Sequence, residues 1–263
     1  MIRPKKHLGQ HFLRDENIAR KIIRSLSGKY PNIIEIGAGT GILSKYLLQD
    51  KNLNPFFFEI DEESIHFLIK KFPEISDKLI FSDFLEYDLS ALPAPFAVLG
   101  NFPYNISSQI LFRILEFRNS IPEVTGMFQK EVADRIVSKP GSRKYGILSV
   151  LLQAFYDIRL LFTVNETVFF PPPRVKSAVI QMRRNNITRL DCDECFFFKV
   201  VKTAFNQRRK ILRNALARMD YQDQAGLDDL LSKRAEQLSV QDFILLSASI
   251  SPSRSSSFQG NSE

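Results

Sequence analysis

The chain has 263 residues, which is enough for one large domain with an ample core and a smaller second domain. Its 44% hydrophobic and 25% charged residues are typical of a soluble globular protein, and the net charge of +7 is compatible with a nucleic-acid partner without requiring one. No apolar run approaches the roughly 18 residues of a membrane span. Because the basic start has no apolar signal core behind it, we expect a cytoplasmic protein.

Helical and strand patterns alternate from about residue 15, as in an α/β fold. Asp15 is placed as the N-cap of a helix whose apolar spacing stops at Gly28. An apolar strand at residues 33–36 then runs into the glycine-rich turn at 37–41, and helical spacing resumes at Ile42.

Three further strands are predicted at residues 56–60, 79–81 and 96–99. Asp61 follows the first of them as a helix N-cap, and Pro73 stops that helix. The other two strands end near Asp83 and Asn101.

The remaining pattern predicts two domains. The first is an α/β domain of residues 1–184. It is completed by a helix at about 109–117, a strand and helix over 125–135, a basic loop at 139–144 and a closing strand at 177–182. Composition turns polar near 184–194, and a smaller all-α domain follows over 185–250, beginning with one helix from about Phe196 to Arg218. The Ser-rich residues 251–263 are expected to be a disordered tail.

Glycines and polar side chains that can bind a ligand follow the successive strands. In an open parallel sheet, ligands bind beyond the carboxyl ends of the strands, so Gly37, Gly39, Glu59, Asp83 and Asn101 are expected to converge in one crevice.

The spacing of the glycines favours one class of ligand. Gly37, Gly39 and Gly41 form G-x-G-x-G, whereas the dinucleotide pattern would require glycine at Ile42. Glu59, about 20 residues further on, is placed to accept hydrogen bonds from ribose hydroxyls, and Asp83 from an adenine amino group. Adenosine recognition without a pyrophosphate site favours S-adenosylmethionine (AdoMet) over NAD.

The sequence Asn101-Phe102-Pro103-Tyr104 suits attack by the exocyclic amine of a nucleobase. The lone pair of that amine is delocalised into the ring, so the amine is a poor nucleophile. An amide oxygen and a backbone carbonyl that accept its two hydrogens would favour an attacking geometry, while an aromatic ring stacks on a flipped base.

Several motifs in order resemble the small-subunit (16S) rRNA adenine-N6,N6-dimethyltransferases of the KsgA type, from about Lys5 to about Leu246. The matching motifs start at Leu8 (LGQHFL), Glu35 (EIGAGTG), Asn101 (NFPYNIS), Gln129 (QKEVA), Tyr145 (YGILSV), Phe169 (FFPPPRV) and Phe205 (FNQRRK). The resemblance implies a Rossmann-like AdoMet-dependent methyltransferase domain, mainly a parallel sheet with helices on both faces. It also implies dimethylation of two adjacent adenosines in the 3′-terminal hairpin of 16S rRNA within pre-30S particles.

The resemblance also implies individual roles. It places the target amine at Asn101 and the Pro103 carbonyl, with Tyr104 and Phe169 stacking on the adenine. AdoMet contacts are implied for His11, Leu13, Gly37, Gly39, Glu59, Asp83 and Asn101. The chain departs from the family in having His11 for the usual Asn, Phe102 for Leu, and Arg174-Val175-Lys176-Ser177 for Lys-Val-Asp-Ser.

Positive side chains indicate where RNA would bind. One face of the predicted C-terminal helix is basic, and a basic loop precedes it; a charged stripe of this kind is otherwise a solvated helix face. The residues predicted to track the RNA backbone are Arg143, Lys144, Lys199, Lys202, Arg208, Arg209 and Arg213.

Other interpretations stay open at this stage. A 23S rRNA methyltransferase of the erythromycin-resistance type shares the crevice and the Asn-x-Pro-Tyr turn, and an assembly checkpoint would bind immature small subunits with methylation secondary. A small-molecule methyltransferase would not need the basic helix.

The pair Cys192 and Cys195 lacks a second ligand pair for zinc, so no metal is expected. We expect a monomer.

Overall fold

The computed structural model describes residues 2–219 and 226–250. These residues form two compact units, one of residues 2–137 and 155–186, the other of 138–154 and 187–250. Residues 138–154 thus group with the C-terminal unit, whereas the sequence analysis assigned them to the first domain; the division at 184/185 stays a prediction. The predicted tail, residues 251–263, lies outside the described residues. No helix of the described residues is long and apolar enough to span a membrane.

The first unit is built on a seven-stranded sheet with the order β4-β3-β2-β5-β6-β9-β7, and a separate pair β1-β8. The pairings from β4 through β6 are parallel, whereas β9 pairs antiparallel with β6 and with β7. This confirms the predicted α/β class. The strands are β1 (Phe12–Leu13), β2 (Asn32–Ile36), β3 (Asn54–Glu59), β4 (Leu79–Phe81), β5 (Phe96–Asn101), β6 (Glu123–Gln129), β7 (Tyr156–Val164), β8 (Phe169–Phe170) and β9 (Ser177–Arg184).

Helices follow the strands of this unit in sequence. Their bounds are α1 (Glu16–Arg24), α2 (Ser44–Gln49), α3 (Glu62–Lys71), α4 (Ser107–Glu116) and α5 (Lys130–Val137). The two predicted N-caps are confirmed: the Asp15 carboxylate accepts from Asn17 N and Ile18 N, and the Asp61 carboxylate accepts from Glu63 N. These carboxylates satisfy amide groups that have no partner inside the helix.

The central strands are continuous apolar runs because parallel strands are covered on both faces. In β2 every residue from Ile33 to Ile36 is buried, and in β5 every residue from Phe96 to Gly100. The carboxyl ends of β2, β3 and β5 therefore emerge from a rigid core at the same edge of the sheet.

The second unit is helical. Its helices are α6 (Ile147–Gln153), α7 (Glu194–Asn206), α8 (Leu212–Ala215), α9 (Asp228–Ser232) and α10 (Val240–Ser249). The predicted single helix from 196 to 218 is wrong: α7 ends at Asn206 and a turn precedes α8. The cause is tertiary, because Ile211 is extended and forms an isolated antiparallel bridge with Arg234.

Candidate active site

A cavity lies at the carboxyl edge of the sheet in the first unit, closed on one side by the segment at residues 8–12. It brings together residues that are up to 98 positions apart in the chain, from Leu8 to Ile106. The sequence-predicted residues that line it are His11, Gly37, Gly39, Glu59, Asp83, Asn101, Pro103 and Tyr104. Leu13 and Phe169 do not line it.

The glycine turn after β2 gives the cavity its floor. Gly37 and Gly39 have φ of 73° and 54°, in the left-handed region that side chains disfavour. A Cβ on Gly39 would also lie 3.1 Å from the ring of Phe12. Glycine at these positions lets the backbone turn sharply and leaves room for a ligand against it.

Glu59, at the end of β3, is a buried carboxylate held by backbone amides. It accepts hydrogen bonds from Gly39 N at 2.8 Å, Ile60 N at 2.9 Å and Asp61 N at 3.0 Å. Burial raises the pKa of Glu59, and these amides oppose the rise. A carboxylate has about four acceptor positions, so about one remains for a ligand hydroxyl.

Asp83 faces the cavity from the loop after β4. Its Oδ1 accepts from Leu85 N at 2.9 Å, and within the described part of the chain its Oδ2 has no hydrogen-bond partner. The walls beside it are apolar, from Phe58, Ile60 and Phe84. A free acceptor between apolar walls fits the amino edge and the flat faces of an adenine ring.

Glu35 lies beneath the glycine turn and was not singled out by the sequence analysis. It is 1% exposed, and burial raises the pKa of its carboxyl to about 8. The nearby Ser44 hydroxyl opposes the rise, and the Glu59 carboxylate adds to it. Glu35 is therefore protonated at neutral pH, which keeps a second negative charge away from Glu59.

The side-chain amide of Asn101 is fixed in one orientation. Its Nδ2 donates to the backbone carbonyl of His11 at 2.8 Å, and because a carbonyl only accepts, the amide nitrogen must face it. Oδ1 then faces the cavity, buried and without a hydrogen-bond partner among the described residues. The neighbouring Pro103 carbonyl accepts only a long bond, 3.3 Å, from Ile106 N. Two residues that line the cavity thus have acceptors available to a ligand.

Tyr104 is held from both ends of its side chain. Its hydroxyl hydrogen-bonds to Ser177 Oγ on β9, and its ring lies against that of His11, with centroids 5.5 Å apart and planes 29° apart. Burial raises the pKa of the Tyr104 phenol to about 12. The phenol is therefore neutral at physiological pH and is no general base. The contact with Ser177, 73 residues away, has no signal in the sequence.

His11 connects the cavity to the segment at 171. Its Nδ1 lies 2.7 Å from the carbonyl oxygen of Pro171, so Nδ1 carries the proton in that contact. In the neutral ring Nε2 is then an acceptor.

The segment that closes the cavity is anchored to the buried Asp61. The Asp61 carboxylate accepts from Lys5 Nζ, from Gln10 Nε2 at 3.1 Å and from Ser64 Oγ at 2.8 Å. Burial alone would raise the pKa of Asp61, but the hydrogen bonds from Lys5, Gln10 and Ser64 lower it overall. The sequence analysis identified Asp61 only as a helix cap; its position before α3 gave no sign of this second role.

The two predicted residues outside the cavity are core residues. Leu13 and Phe169 are 2% and 3% exposed and pair across the β1-β8 ladder. Stacking of Phe169 on a base stays a prediction.

The predicted RNA-contacting residues all lie in the second unit, but not on one helix face. Lys199 and Lys202 are on α7, Arg209 is in the turn after it, and Arg143 and Lys144 are in the loop before α6; all five are exposed. The remaining two have acidic partners: Arg208 lies 3.4 Å from Glu236, and Arg213 pairs with Asp228.

The described residues contain no group of three or more His, Cys, Asp or Glu side chains arranged to hold a metal ion. Cys192 and Cys195 are both free thiols.

Comparison with known proteins identifies similar sequences over nearly the whole chain. A family model described as ribosomal RNA adenine dimethylase matches residues 1–251. The ribosomal RNA small subunit methyltransferase A of Flavobacterium johnsoniae is 56% identical over 252 residues, which cover 95% of this chain and 96% of that protein. The protein of the same name from Cytophaga hutchinsonii is 54% identical over 253 residues, covering 95% and 98%.

Two solved structures have the same fold. A dimethyladenosine transferase from Plasmodium falciparum superposes with a TM-score of 0.74 at 24% identity, covering 90% of this chain and 96% of that one. The 23S rRNA methyltransferase ErmE superposes with a TM-score of 0.65, also at 24% identity, covering 90% and 99%. At this identity the likeness establishes the fold alone.

Proposed function

This chain belongs to the ribosomal RNA adenine dimethylase family, and we propose that it dimethylates N6 of adenosines in 16S rRNA. The methyl donor is AdoMet. The targets are two adjacent adenosines in the 3′-terminal hairpin, modified within pre-30S particles in the cytoplasm by a monomeric enzyme whose helical second domain binds the RNA.

The observation that carries this proposal is the amide of Asn101. A buried oxygen without a partner costs stability, about 1–3 kcal/mol, unless a ligand supplies a donor. Asn101 and Pro103 line the same cavity, Asn101 Oδ1 has no partner among the described residues, and the Pro103 carbonyl accepts a long bond from Ile106 N. A primary amine with two hydrogens satisfies both acceptors, and the adenine N6 amine is such a group.

The cavity also fits the donor. Glu59 offers an acceptor to a ribose hydroxyl, Asp83 Oδ2 offers one to an adenine amino group, and the glycine turn allows close backbone approach. When bound, AdoMet supplies an electrophilic methyl group on its sulfonium.

The residues act by positioning. Hydrogen bonds from N6 to Asn101 Oδ1 and the Pro103 carbonyl localise the amine lone pair so that it points at the methyl carbon. The N–C bond forms as the S–C bond breaks, and the proton of the product leaves to water. No side-chain base is required, in agreement with the neutral Tyr104 phenol.

The choice of 16S over 23S rRNA rests on the relatives. The proteins that are 56% and 54% identical are named small-subunit enzymes, whereas ErmE resembles this chain at 24% identity. Asn101, the turn after it and the Rossmann-like cavity suit both substrates.

The test is transfer of labelled methyl groups from AdoMet to 30S particles that lack the modification, with 50S particles and naked rRNA in parallel, followed by nucleoside analysis. Dimethyladenosine in the 30S sample alone is the expected result. Label in 50S-derived RNA would reassign the substrate to 23S rRNA. Absence of label in every sample, with AdoMet bound, would contradict the enzymatic proposal and favour an assembly factor.

A further inference from the structure

We propose that Arg14 and Phe170 form a stacking platform for an RNA base next to the target adenosine. The proposal rests on the proposed function, because it requires RNA as the substrate. Neither residue belongs to the cavity described above, and the sequence motifs assigned a role to Phe169 and not to Phe170.

The register of the β1-β8 ladder separates the two phenylalanines. Leu13 pairs with Phe169, and both are buried in the core. Phe12 pairs with Phe170, and directly paired residues of an antiparallel ladder lie on the same face. Phe12 lines the AdoMet cavity, so the face that carries Phe170 is the one continuous with the active site.

Phe170 is accessible, in contrast to its neighbour. Its exposed fraction is 38%, against 3% for Phe169. The guanidinium carbon of the exposed Arg14 lies 4.1 Å from the centroid of the Phe170 ring, and Arg14 makes no ion pair within the described part of the chain. A phenyl ring and a planar guanidinium are the surfaces on which unpaired RNA bases stack.

A second, larger cavity adjoins the first. It shares Gly9, Gln10 and His11 with the first cavity. Pro171, directly after Phe170, forms part of its wall. A strand whose target base enters the first cavity would therefore have its next nucleotide in the second, within reach of Phe170.

The charges around the second cavity favour RNA over an apolar partner. Lys6 and Arg174 line it, and no Asp or Glu is among its lining residues; Arg14 adds a third positive charge over the ring of Phe170, the residue before Pro171. Lys and Arg side chains neutralise the phosphates of a nucleic-acid backbone. An aromatic face together with positive side chains is therefore suited to an RNA strand with an unpaired base.

The experiment compares Phe170→Leu and Phe170→Tyr in methyl transfer to unmodified 30S particles, measuring kcat and KM separately. Leu keeps apolar bulk but removes the π face, whereas Tyr keeps it. Phe162→Leu is the matched control, since Lys21 lies 4.5 Å from the centroid of its ring in the same kind of cation–ring pair, outside both cavities. AdoMet affinity and the melting temperature of each variant are measured alongside.

We expect Phe170→Leu to raise KM about tenfold with unchanged kcat and AdoMet affinity, because it removes the aromatic face on which one base stacks. Phe170→Tyr and Phe162→Leu are expected to stay within twofold of the wild type. Arg14→Met is expected to raise KM and to reduce the salt dependence of RNA binding by about one phosphate contact.

A KM for Phe170→Leu within twofold of the wild type would overturn the platform, as would an equal rise for Phe162→Leu. The wild-type protein separates this result from failure of the proposed function. If the wild type methylates 30S particles and Phe170→Leu matches it, only the platform is wrong; if the wild type methylates nothing, the proposed function fails first.

Discussion

The side chain of Asn101 hydrogen-bonds to the backbone carbonyl of His11, 2.8 Å away in space and 90 residues away in sequence. This bond turns Asn101 Oδ1 into the cavity and ties the closing segment to the end of β5. The orientation of Asn101 Oδ1 therefore depends on the N-terminal segment, which Lys5 and Gln10 anchor to the Asp61 carboxylate.

Asn101→Ala is expected to lower kcat about 100-fold or more while changing AdoMet affinity less than threefold, because the acceptor acts on the amine and not on the donor. Methyl transfer under single-turnover conditions and calorimetric titration with AdoMet measure the two effects. Equal losses in rate and affinity would show that Asn101 mainly holds the donor.

Tyr104→Phe is expected to keep kcat within about fivefold of the wild type, since the phenol is neutral and, among the described residues, its hydroxyl bonds to Ser177 alone. Tyr104→Ala removes the ring and should lower kcat far more. The two variants are compared at several pH values between 6 and 9. A loss in Tyr104→Phe as large as in Tyr104→Ala would indicate that the hydroxyl takes part in the chemistry.

The free energy of unfolding of Glu35→Gln, relative to that of the wild type, is expected to rise as pH rises from about 5 to 8. The folded chain holds a proton on Glu35 up to about pH 8, whereas the unfolded chain releases it near the ordinary value of 4.5, so the wild type loses stability across this window. The gain by pH 8 should be about 1 kcal/mol or more.

Urea unfolding at each pH measures the difference, with the exposed Glu86→Gln as the control. A stability difference between Glu35→Gln and the wild type that does not change with pH would mean that Glu35 is ionised in the folded protein.

Arg209→Gln and Arg213→Gln are expected to differ in RNA binding, although both residues are exposed and basic. Arg213 already pairs with Asp228, so Arg213→Gln is expected to change the salt dependence of RNA binding less than Arg209→Gln does. Arg209→Gln should lower the slope of log K against log salt by about one unit, which is the effect of one phosphate contact.

Filter binding of 16S rRNA between low and physiological salt measures both slopes. If the affinity of the wild type for RNA did not change with salt, the second unit would not be an electrostatic RNA surface.

The sequence by itself determined the parallel strands, the closing strand β9, two helix caps and most of the cavity, but not β1, β7 or β8. Continuous apolar runs, glycines at G-x-G-x-G spacing, and carboxylates after strands are local signals, and parallel strands bring their carboxyl ends to one edge whatever the details of packing. Glu59, Asp83 and Asn101 could be predicted to converge for that reason.

Only the tertiary structure decided which way side chains point and where their partners lie. Phe169 and Phe170 are adjacent and chemically identical, and the pairing of β8 with β1 sends one into the core and the other to the surface. The same is true of α7, whose end at Asn206 depends on the bridge between Ile211 and Arg234. Such outcomes depend on pairing between residues far apart in the chain, and no local pattern encodes that pairing.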